Sequence, residues 1–293
     1  MRKFALWAAT LCTAMMSSVI AAEFTAADLA TEEGKFAAYS VKNGMRAAFL
    51  EFFAAQSWLL RPEPVDAQAW IRGRPDPPIV LDWRSQLTIL SASGDMGFST
   101  GPSIYRGKAD PKAPAAHGEF FSVWQKQQNG EWKVLIDHGI SHGARATPDT
   151  LPTTPLIALD LVASTAGLPA YDAEKDFVER SGKLASAAAY LGSVSAHTVL
   201  LREGMLPISG KAGVTEFVNS KDGKWVWNPK MQGTSRAGDF TYAAGSYRGT
   251  TKNGDAANGQ YVRVWVRDAS NSAQARWTIA GDVMTPQPPP PKQ

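Results

Sequence analysis

The chain has 293 residues and a single cysteine, Cys12, which lies within the first 22 residues. This segment begins with Arg2 and Lys3, continues with the apolar run 4–16 and ends in small residues, a pattern typical of a secretory signal peptide at 1–22. The apolar run is short for a membrane span. After cleavage no cysteine would remain, which excludes disulfides, thiolate metal sites and a cysteine nucleophile. We therefore expect a periplasmic or secreted protein.

The sequence also has no large excess of charge of one sign. Of the 30 basic residues, Arg2 and Lys3 lie in the leader, which leaves 28 against 27 acidic residues, with no run of five like charges. Binding to nucleic acid requires a basic face that neutralises phosphates, so nucleic acid is excluded as an expected partner. The sequence also has no glycine-rich phosphate loop, and we expect no cofactor.

The sequence does contain a long internal repeat. The tripeptide Leu-Leu-Arg ends at Arg61 and again at Arg202, and a Gly-Asp turn ends at Asp95 and again at Asp239. Further matches pair Tyr105-Arg106-Gly107 with Tyr247-Arg248-Gly249, the segment 118–124 (Gly-Glu to Trp) with 259–265 (Gly-Gln to Trp), and Trp132 and Asp137 with Trp277 and Asp282. The offsets are 141, 144, 142, 141 and 145, so order and spacing hold throughout. A repeat of this length is a whole domain used twice.

The repeat and the local composition divide the chain. We predict a first domain at 23–146, a Pro- and Thr-rich linker at 147–170, a second domain at 171–284 and a Pro-rich tail at 285–293. In each copy helical patterns come first and strand patterns follow, which predicts an α+β fold. The predicted first-copy elements are helices at 25–43, 45–53 and 65–72, a short strand at 57–61 and long strands at 79–91, 96–105, 118–127 and 132–140.

This order of elements, with the Gly-Asp turn and the tryptophan-bearing strands, resembles the nuclear transport factor 2-like superfamily. The resemblance is greatest to the SnoaL-like branch, which includes ketosteroid isomerases and polyketide cyclases. It covers nearly all of 33–142 and, more weakly, 174–282. It implies two tandem cone-shaped domains, each a curved antiparallel sheet wrapped around N-terminal helices and enclosing an apolar pocket. One fold hosts many functions, so the resemblance implies an architecture rather than a reaction.

One position departs from the ketosteroid isomerase pattern. In those enzymes the general base is an aspartate in the first short strand, directly before a proline. The matching positions here are Arg61-Pro62 and, in the second copy, Arg202-Glu203. Arginine stays protonated and cannot act as a general base, so the departure argues against steroid-isomerase chemistry in either copy.

Asp137 and His138 are the candidate catalytic residues, because an aspartate and a histidine can act as acid and base without a metal. Strand alternation places His138 on the face of Trp132 and places Asp137 on the opposite face. The alternative is a strand end that carries a hydrogen-bonded histidine. His138 and His142 are four residues apart, but the glycines beside them disfavour a helix, and we predict no metal site.

Six further residues are candidate ligand contacts. Arg61 and Arg202 could pair with a ligand carboxylate at a pocket mouth, or could form structural salt bridges. The four recurring aromatic residues could line the pockets or belong to the cores; they are Tyr105, Trp124, Tyr247 and Trp265.

Three functions remain open at this level. The first, which we favour, is binding of a small, mostly apolar or carboxylate ligand. The second is a cofactor-free acid-base enzyme of isomerase, cyclase or hydrolase type, acting in the first domain. The third is an interaction module, in which the two domains pair within the chain or the protein forms a homodimer.

Overall fold

The computed structural model describes residues 23–60, 63–110, 112–143, 151, 155–163, 172–183, 186–220, 223–267 and 276–287. In these residues it contains six helices and two sheets, one of eight strands and one of six. The predicted α+β class is confirmed. The predicted signal peptide lies outside the described residues. Within the described part of the chain, no helix combines the length and the apolar character needed to cross a membrane.

The first domain begins with helices and continues with the larger sheet. Its elements are α1 (Ala26–Asn43), α2 (Met45–Phe52), β1 (Phe53–Leu60), β2 (Pro64–Asp66), α3 (Ala67–Arg72), β3 (Ile79–Trp83), β4 (Leu87–Leu90), β5 (Met96–Gly107), β6 (Ala116–Lys126), β7 (Trp132–His142) and β8 (Ile157–Asp160). The strand order is β2-β1-β7-β6-β5-β4-β8, and β3 also pairs with β5.

The second domain repeats this order with a smaller sheet. Its elements are α4 (Ala173–Lys183), α5 (Ser186–Leu191), β9 (Val194–Arg202), β10 (Ile208–Ser209), α6 (Gly210–Ser220), β11 (Lys224–Thr234), β12 (Phe240–Thr250), β13 (Ala256–Val266) and β14 (Thr278–Pro286). The strand order is β10-β9-β14-β13-β12-β11.

Local signals account for the first helices. Thr25 caps α1 through a capping box, in which its hydroxyl accepts the amide of Asp28 while the Asp28 carboxylate accepts the amide of Thr25. Gly44 ends α1 with a φ of 91°, a value that glycine adopts without a steric penalty. Met45 and Phe49 then lie one helical turn apart on α2 and face the sheet.

The long strands pair mainly antiparallel, as predicted, and each sheet also contains parallel pairing. In the first domain β1 pairs parallel with β7, and in the second β9 pairs parallel with β14. The remaining long strands form antiparallel hairpins. Parallel pairing is available to β1 and β9 because a helix and several strands separate each of them from its partner in the chain.

The segment predicted as a linker supplies a strand to the first sheet. Within 147–170, β8 pairs parallel with β4, and the amide of Ile157 donates to the carbonyl of Gln86 at 2.9 Å. Asp160 accepts the amide of Ala26 at 2.7 Å, which connects this strand to the start of α1. Without β8, one edge of β4 would have unpaired backbone N–H and C=O groups. Such an edge pairs readily with an extended segment, which explains why part of the predicted linker forms a strand.

The two sheets pack on each other through one hydrophobic cluster. Phe98, Phe121 and Ile136 of the first domain share this cluster with Phe240 and Val264 of the second, and all five are buried. Apolar burial of this kind is the main favourable contribution to association between domains. The contact therefore joins the repeated domains face to face.

Hydrogen bonds between the two Gly-Asp turns follow the same pairing. The amide of Ala92 donates to Asp239 at 2.8 Å, and the amide of Arg236 donates to Asp95 at 3.2 Å. Ala92 and Arg236 occupy equivalent repeat positions, as do the two aspartates. Such reciprocal contacts are the mark of a two-fold interface, here formed within one chain.

The two sheets approach each other closely at Gly281. A methyl group at this position would overlap the ring of Phe98 and lie 2.7 Å from Cε2 of Phe121. Both rings are fully buried, so we expect Gly281→Ala to lower the free energy of unfolding by about 1–3 kcal/mol in urea titrations followed by tryptophan fluorescence.

Gly34→Ala is the matched control, because the added methyl group on the exposed face of α1 has no atom within 4 Å apart from its chain neighbours and the backbone of its own helix. There we expect a gain of up to about 1 kcal/mol from helix propensity. Equal stability of Gly281→Ala and the wild type would contradict the close packing of the sheets.

Candidate functional site

A cavity of about 940 Å³ opens in the first domain and reaches the second. Its apolar wall consists of Met45, Phe49, Leu60, Ile79, Leu81, Trp83, Phe120 and Ile140. Its polar lining from the first domain consists of Ser103, Tyr105, Glu119, Asp137, His138 and Ser141. The second domain contributes Glu203, Gln260, Thr285, Pro286 and Gln287.

Simple periodicities place the apolar wall. Ile79, Leu81 and Trp83 alternate along β3, so their side chains share one face of the strand. Met45 and Phe49 are four residues apart on α2 and share one helical face. The cavity therefore lies between one face of the first sheet and the second helix.

Asp137 and His138 both line the cavity but have different partners. The hydroxyl of Ser122 donates to Oδ2 of Asp137 at 3.2 Å. Nε2 of His138 lies 2.9 Å from Oγ1 of Thr285, a second-domain residue. The two residues occupy neighbouring positions on β7, and their catalytic role stays a prediction.

A buried carboxyl group, Glu33 of α1, shares the neighbour Ser122 with Asp137. It accepts the indole N–H groups of Trp83 and Trp124, each at 2.7 Å. Burial raises the pKa of Glu33 to about 7, against the opposing effect of hydrogen bonds from Trp83, Trp124 and Ser122. Ser122 thus contacts both carboxyl groups, and its single hydroxyl proton can serve only one of them at a time.

Sequence reasoning missed Glu33, although the repeat contains a signal for it. Glu33 and Glu174 differ by 141 positions, the same offset that separates Trp124 from Trp265. In both domains the glutamate accepts the indole N–H of the matching tryptophan, at 2.7 and 2.8 Å. Alignment of the two copies could therefore have predicted a paired glutamate on the first helix of each domain.

A second carboxylate, Glu119, lines the cavity at the end of the first sheet. It is buried, and its Oε1 lies 3.2 Å from Nε2 of His142. The His142 ring stacks on His117 with ring centres 6.4 Å apart. Nearby, the hydroxyl of Tyr105 lies 2.8 Å from that of Ser141. Across the described residues, no three histidine, aspartate or glutamate side chains are grouped to hold a metal ion.

The predicted ligand-contact residues lie in different environments. Tyr105 lines the cavity, whereas Trp124 and Trp265 are fully buried and donate to Glu33 and Glu174. Tyr247 is buried beside Trp225 and Trp227, and burial raises its pKa to about 12. Arg61 lies outside the described residues.

The structure gives Arg202 an internal carboxylate partner. Its Nη1 lies 2.7 Å from Oδ1 of Asp282, whose Oδ2 lies 2.5 Å from Nε of the fully buried Arg263. Nη1 of Arg263 lies 2.9 Å from Glu174. Burial alone would raise the pKa of Asp282, but the charges of Arg202 and Arg263 outweigh it and hold the pKa below its ordinary value. Arg202 is thus part of a structural network in the interior, where the sequence favoured ligand contact and a salt bridge equally.

Sequence reasoning also passed over a Gly-x-Ser-x-Gly pattern, which runs from Gly97 to Gly101. In hydrolases the serine of this pattern stands on a turn between a strand and a helix. Here it lies within antiparallel strand β5, where Ser99 is fully buried and lies 2.9 Å from the hydroxyl of Ser85. The pattern is part of the sheet and does not form a nucleophile elbow.

No protein-family model matches the sequence, and no curated protein matches it. Solved structures match about one domain of the chain. They include a ketosteroid isomerase-like protein from Erwinia carotovora atroseptica, with 17% identity over 40% of this chain and 92% of that chain and a TM-score of 0.33. A Mycobacterium tuberculosis protein in complex with estradiol-17β-hemisuccinate has 11% identity over 38% and 88% of the two chains, with a TM-score of 0.30.

The Δ5-3-ketosteroid isomerase from Mycobacterium sp. has 13% identity over 39% and 88% of the chains, with a TM-score of 0.31. The first and the third of these proteins are named as a ketosteroid isomerase-like protein and a ketosteroid isomerase. At such identities and TM-scores the likeness concerns the fold alone and assigns no activity or ligand.

Because its pKa is raised, Glu33 should make the stability of the protein depend on pH. Its pKa rises from an ordinary 4.5 to about 7 on folding, so between these values the folded protein holds a proton that the unfolded chain has released. The stability that this group contributes is present below pH 4.5 and is lost as the pH rises through 7. Glu33→Gln removes the titration, and the wild-type minus variant difference in unfolding free energy should fall by roughly 3 kcal/mol across this window.

The measurement is urea unfolding at several pH values across the window. Glu51→Gln, which replaces an exposed glutamate on α2, is the control and should follow the wild-type pH dependence. Parallel pH curves for the wild type and Glu33→Gln would show that Glu33 does not titrate in this range.

Proposed function

We propose that the first domain binds a small, mostly apolar ligand that carries hydrogen-bond donors. The observation that carries this proposal is the cavity of about 940 Å³, whose volume falls in the range of small-molecule sites. Its wall is largely aliphatic and aromatic, which favours an apolar body. Its described polar lining includes the carboxyl groups of Glu119, Asp137 and Glu203, which accept hydrogen bonds when ionised. These acceptors favour a neutral hydroxyl or amine over a ligand carboxylate.

The comparison of the two domains supports binding in the first. The repeat offset of 141 pairs Ser122 with Arg263, so a small side chain in one interior matches a long one in the other. The Arg263 guanidinium is fully buried and lies 4.1 Å from the ring centre of Phe177 and 4.3 Å from that of Trp227. In the second domain this long side chain therefore occupies the interior position that a serine holds in the first.

A neutral fluorescent amine, N-phenyl-1-naphthylamine, is a direct probe of the cavity. We expect saturable binding with enhanced fluorescence in the wild type, because the probe enters an apolar environment. Leu81→Trp enlarges a half-buried wall residue and should weaken binding roughly tenfold or more, which corresponds to about 1.4 kcal/mol.

Val226→Trp, a change at an exposed position of β11, is the matched control and should bind as the wild type does. Absence of saturable binding of neutral apolar amines and alcohols by the wild type would refute the proposal, as would equal binding by Leu81→Trp.

A second candidate function is cofactor-free proton transfer, and the position of Asp137 favours it. This carboxyl group lines the cavity and is joined through Ser122 to Glu33. A carboxylate in a partly apolar site is a competent base towards an acidic C–H group. His138 supplies a further titratable group at the same wall.

The eliminative ring opening of 5-nitrobenzisoxazole tests this candidate. Asp137 would take the C3 proton, the C–H electron pair would form the nitrile, and the N–O bond would break to release the phenolate. Asp137→Asn should lower the rate by about 10²-fold or more, and Asp255→Asn, at an exposed turn, should leave it unchanged. Equal rates for the wild type and Asp137→Asn would exclude Asp137 as the base.

We also propose that the protein is exported, on the strength of the leader pattern at 1–22. Mass spectrometry of protein recovered from the periplasm or the medium should show a chain that begins at or near Glu23. Recovery of the chain only inside the cell with its leader intact would contradict export.

A further inference from the structure

The cavity of the first domain is completed by the second domain. Its lining includes Glu203, which directly follows β9, Gln260 of β13 and Thr285 of β14. The two domains are held in register here, since Ser141 at the end of β7 donates its amide to Glu203 and accepts the amide of Gly204. The second domain therefore supplies polar groups to a pocket whose apolar wall belongs to the first.

Gln260 differs from its neighbours in this lining. The residue is 3% exposed, and its Oε1, which is closed to solvent, has no hydrogen-bond partner among the described residues. Buried amide oxygens are nearly always paired, because an unpaired one loses its hydration without compensation. Because Gln260 lines the cavity, a turn of its amide would bring this orphaned acceptor to a donor in the cavity.

The adjacent polar groups do not supply that donor. Thr285 is the cross-strand neighbour of Gln260 on β14, but its hydroxyl lies 2.9 Å from Nε2 of His138. Glu203 accepts the amide of Ser141. The remaining candidate is a group in the cavity itself.

The repeat sharpens this difference. Gln260 is equivalent to Glu119 at the offset of 141, and both line the same cavity. Glu119 is paired with His142 at 3.2 Å, whereas Gln260 offers a neutral carbonyl oxygen with no such partner. Divergence of the two copies has thus placed two different acceptors at one site.

We infer that Gln260 determines ligand specificity, its Oε1 accepting a hydrogen bond from a hydroxyl or N–H group of the ligand in the first-domain cavity. This inference rests on the proposed ligand binding and deepens it. It makes the site a composite of both domains and restricts the ligand class to apolar molecules with at least one neutral donor. A donor that satisfies a buried acceptor discriminates strongly against an analogue that lacks it.

Matched pairs of probes test the inference. N-phenyl-1-naphthylamine is compared with 1-benzylnaphthalene, in which a CH₂ group replaces the N–H group, and two further neutral alcohol and methyl pairs of similar size extend the series. In the full-length wild type we expect the donor member of at least one pair to bind roughly tenfold more tightly. Gln260→Met should abolish this preference while it leaves the affinity for the CH₂ member unchanged.

Two further variants control the result. Gln260→Glu keeps an acceptor at the position and should retain the preference, and Gln232→Met, at an exposed position of β11, should behave as the wild type. Unchanged binding of the CH₂ member by Gln260→Met shows that the variant is folded and its cavity intact. Gln260→Met should also unfold at the same or a higher temperature than the wild type, because an apolar side chain replaces an unpaired buried oxygen.

The outcomes distinguish failure of the proposed ligand binding from failure of the role proposed for Gln260. If the wild type binds neither member of any pair, the proposed ligand binding itself fails. If both members bind but no pair shows a preference that depends on Gln260, ligand binding stands and the role of Gln260 is overturned. If Gln260→Met weakens both members equally, Gln260 shapes the cavity and does not recognise a donor, which also overturns the inference.

Discussion

The contact between a buried glutamate on the first helix and a tryptophan on the sheet supports the structure of both domains. Glu33 accepts Trp124 in the first domain, and Glu174 accepts Trp265 in the second. A buried carboxyl group needs a proton or a cation, because its charge is poorly stabilised away from water. The two domains meet this requirement differently.

In the second domain the cation is Arg263, which bridges Glu174 and Asp282 and fills the interior together with Arg202. The first domain has Ser122 at the equivalent position, and its glutamate has a pKa of about 7. A serine occupies far less volume than an arginine. The same fold thus places a buried arginine between two carboxylates in one copy and a serine beside a buried glutamate of raised pKa in the other.

Pairing of the sheets then converts one domain's pocket into a shared site. The hydrophobic cluster that contains Phe98, Phe121 and Phe240 holds the domains face to face. In that arrangement Gln260 and Thr285 reach a cavity whose other walls come from the first domain. Divergence after duplication can therefore change the ligand site from the second copy as well as from the first.

Much of the fold could be predicted from local patterns. The stripe of Met45 and Phe49 and the capping threonine Thr25 lie where periodicity and capping place them, because these signals act over a few residues. The strand β8, inside the predicted linker, was missed, because its pairing with β4 joins segments that are distant in the chain. The site divides in the same way, since the sequence singled out Asp137 and His138 but not the neighbours that surround them.

By itself the sequence determined the duplication, the α+β class and the candidate residues at the end of β7, since repeats and periodicities are properties of the chain. The tertiary structure alone decided that Arg202 pairs with Asp282, that Trp124 is buried against Glu33, and that Gln260 enters the cavity of the other domain. Those outcomes depend on contacts between residues that are 80 to 140 or more positions apart, such as the 80 that separate Arg202 from Asp282. No local sequence pattern specifies which distant side chain pairs with a buried charge, because packing in the folded state sets that pairing.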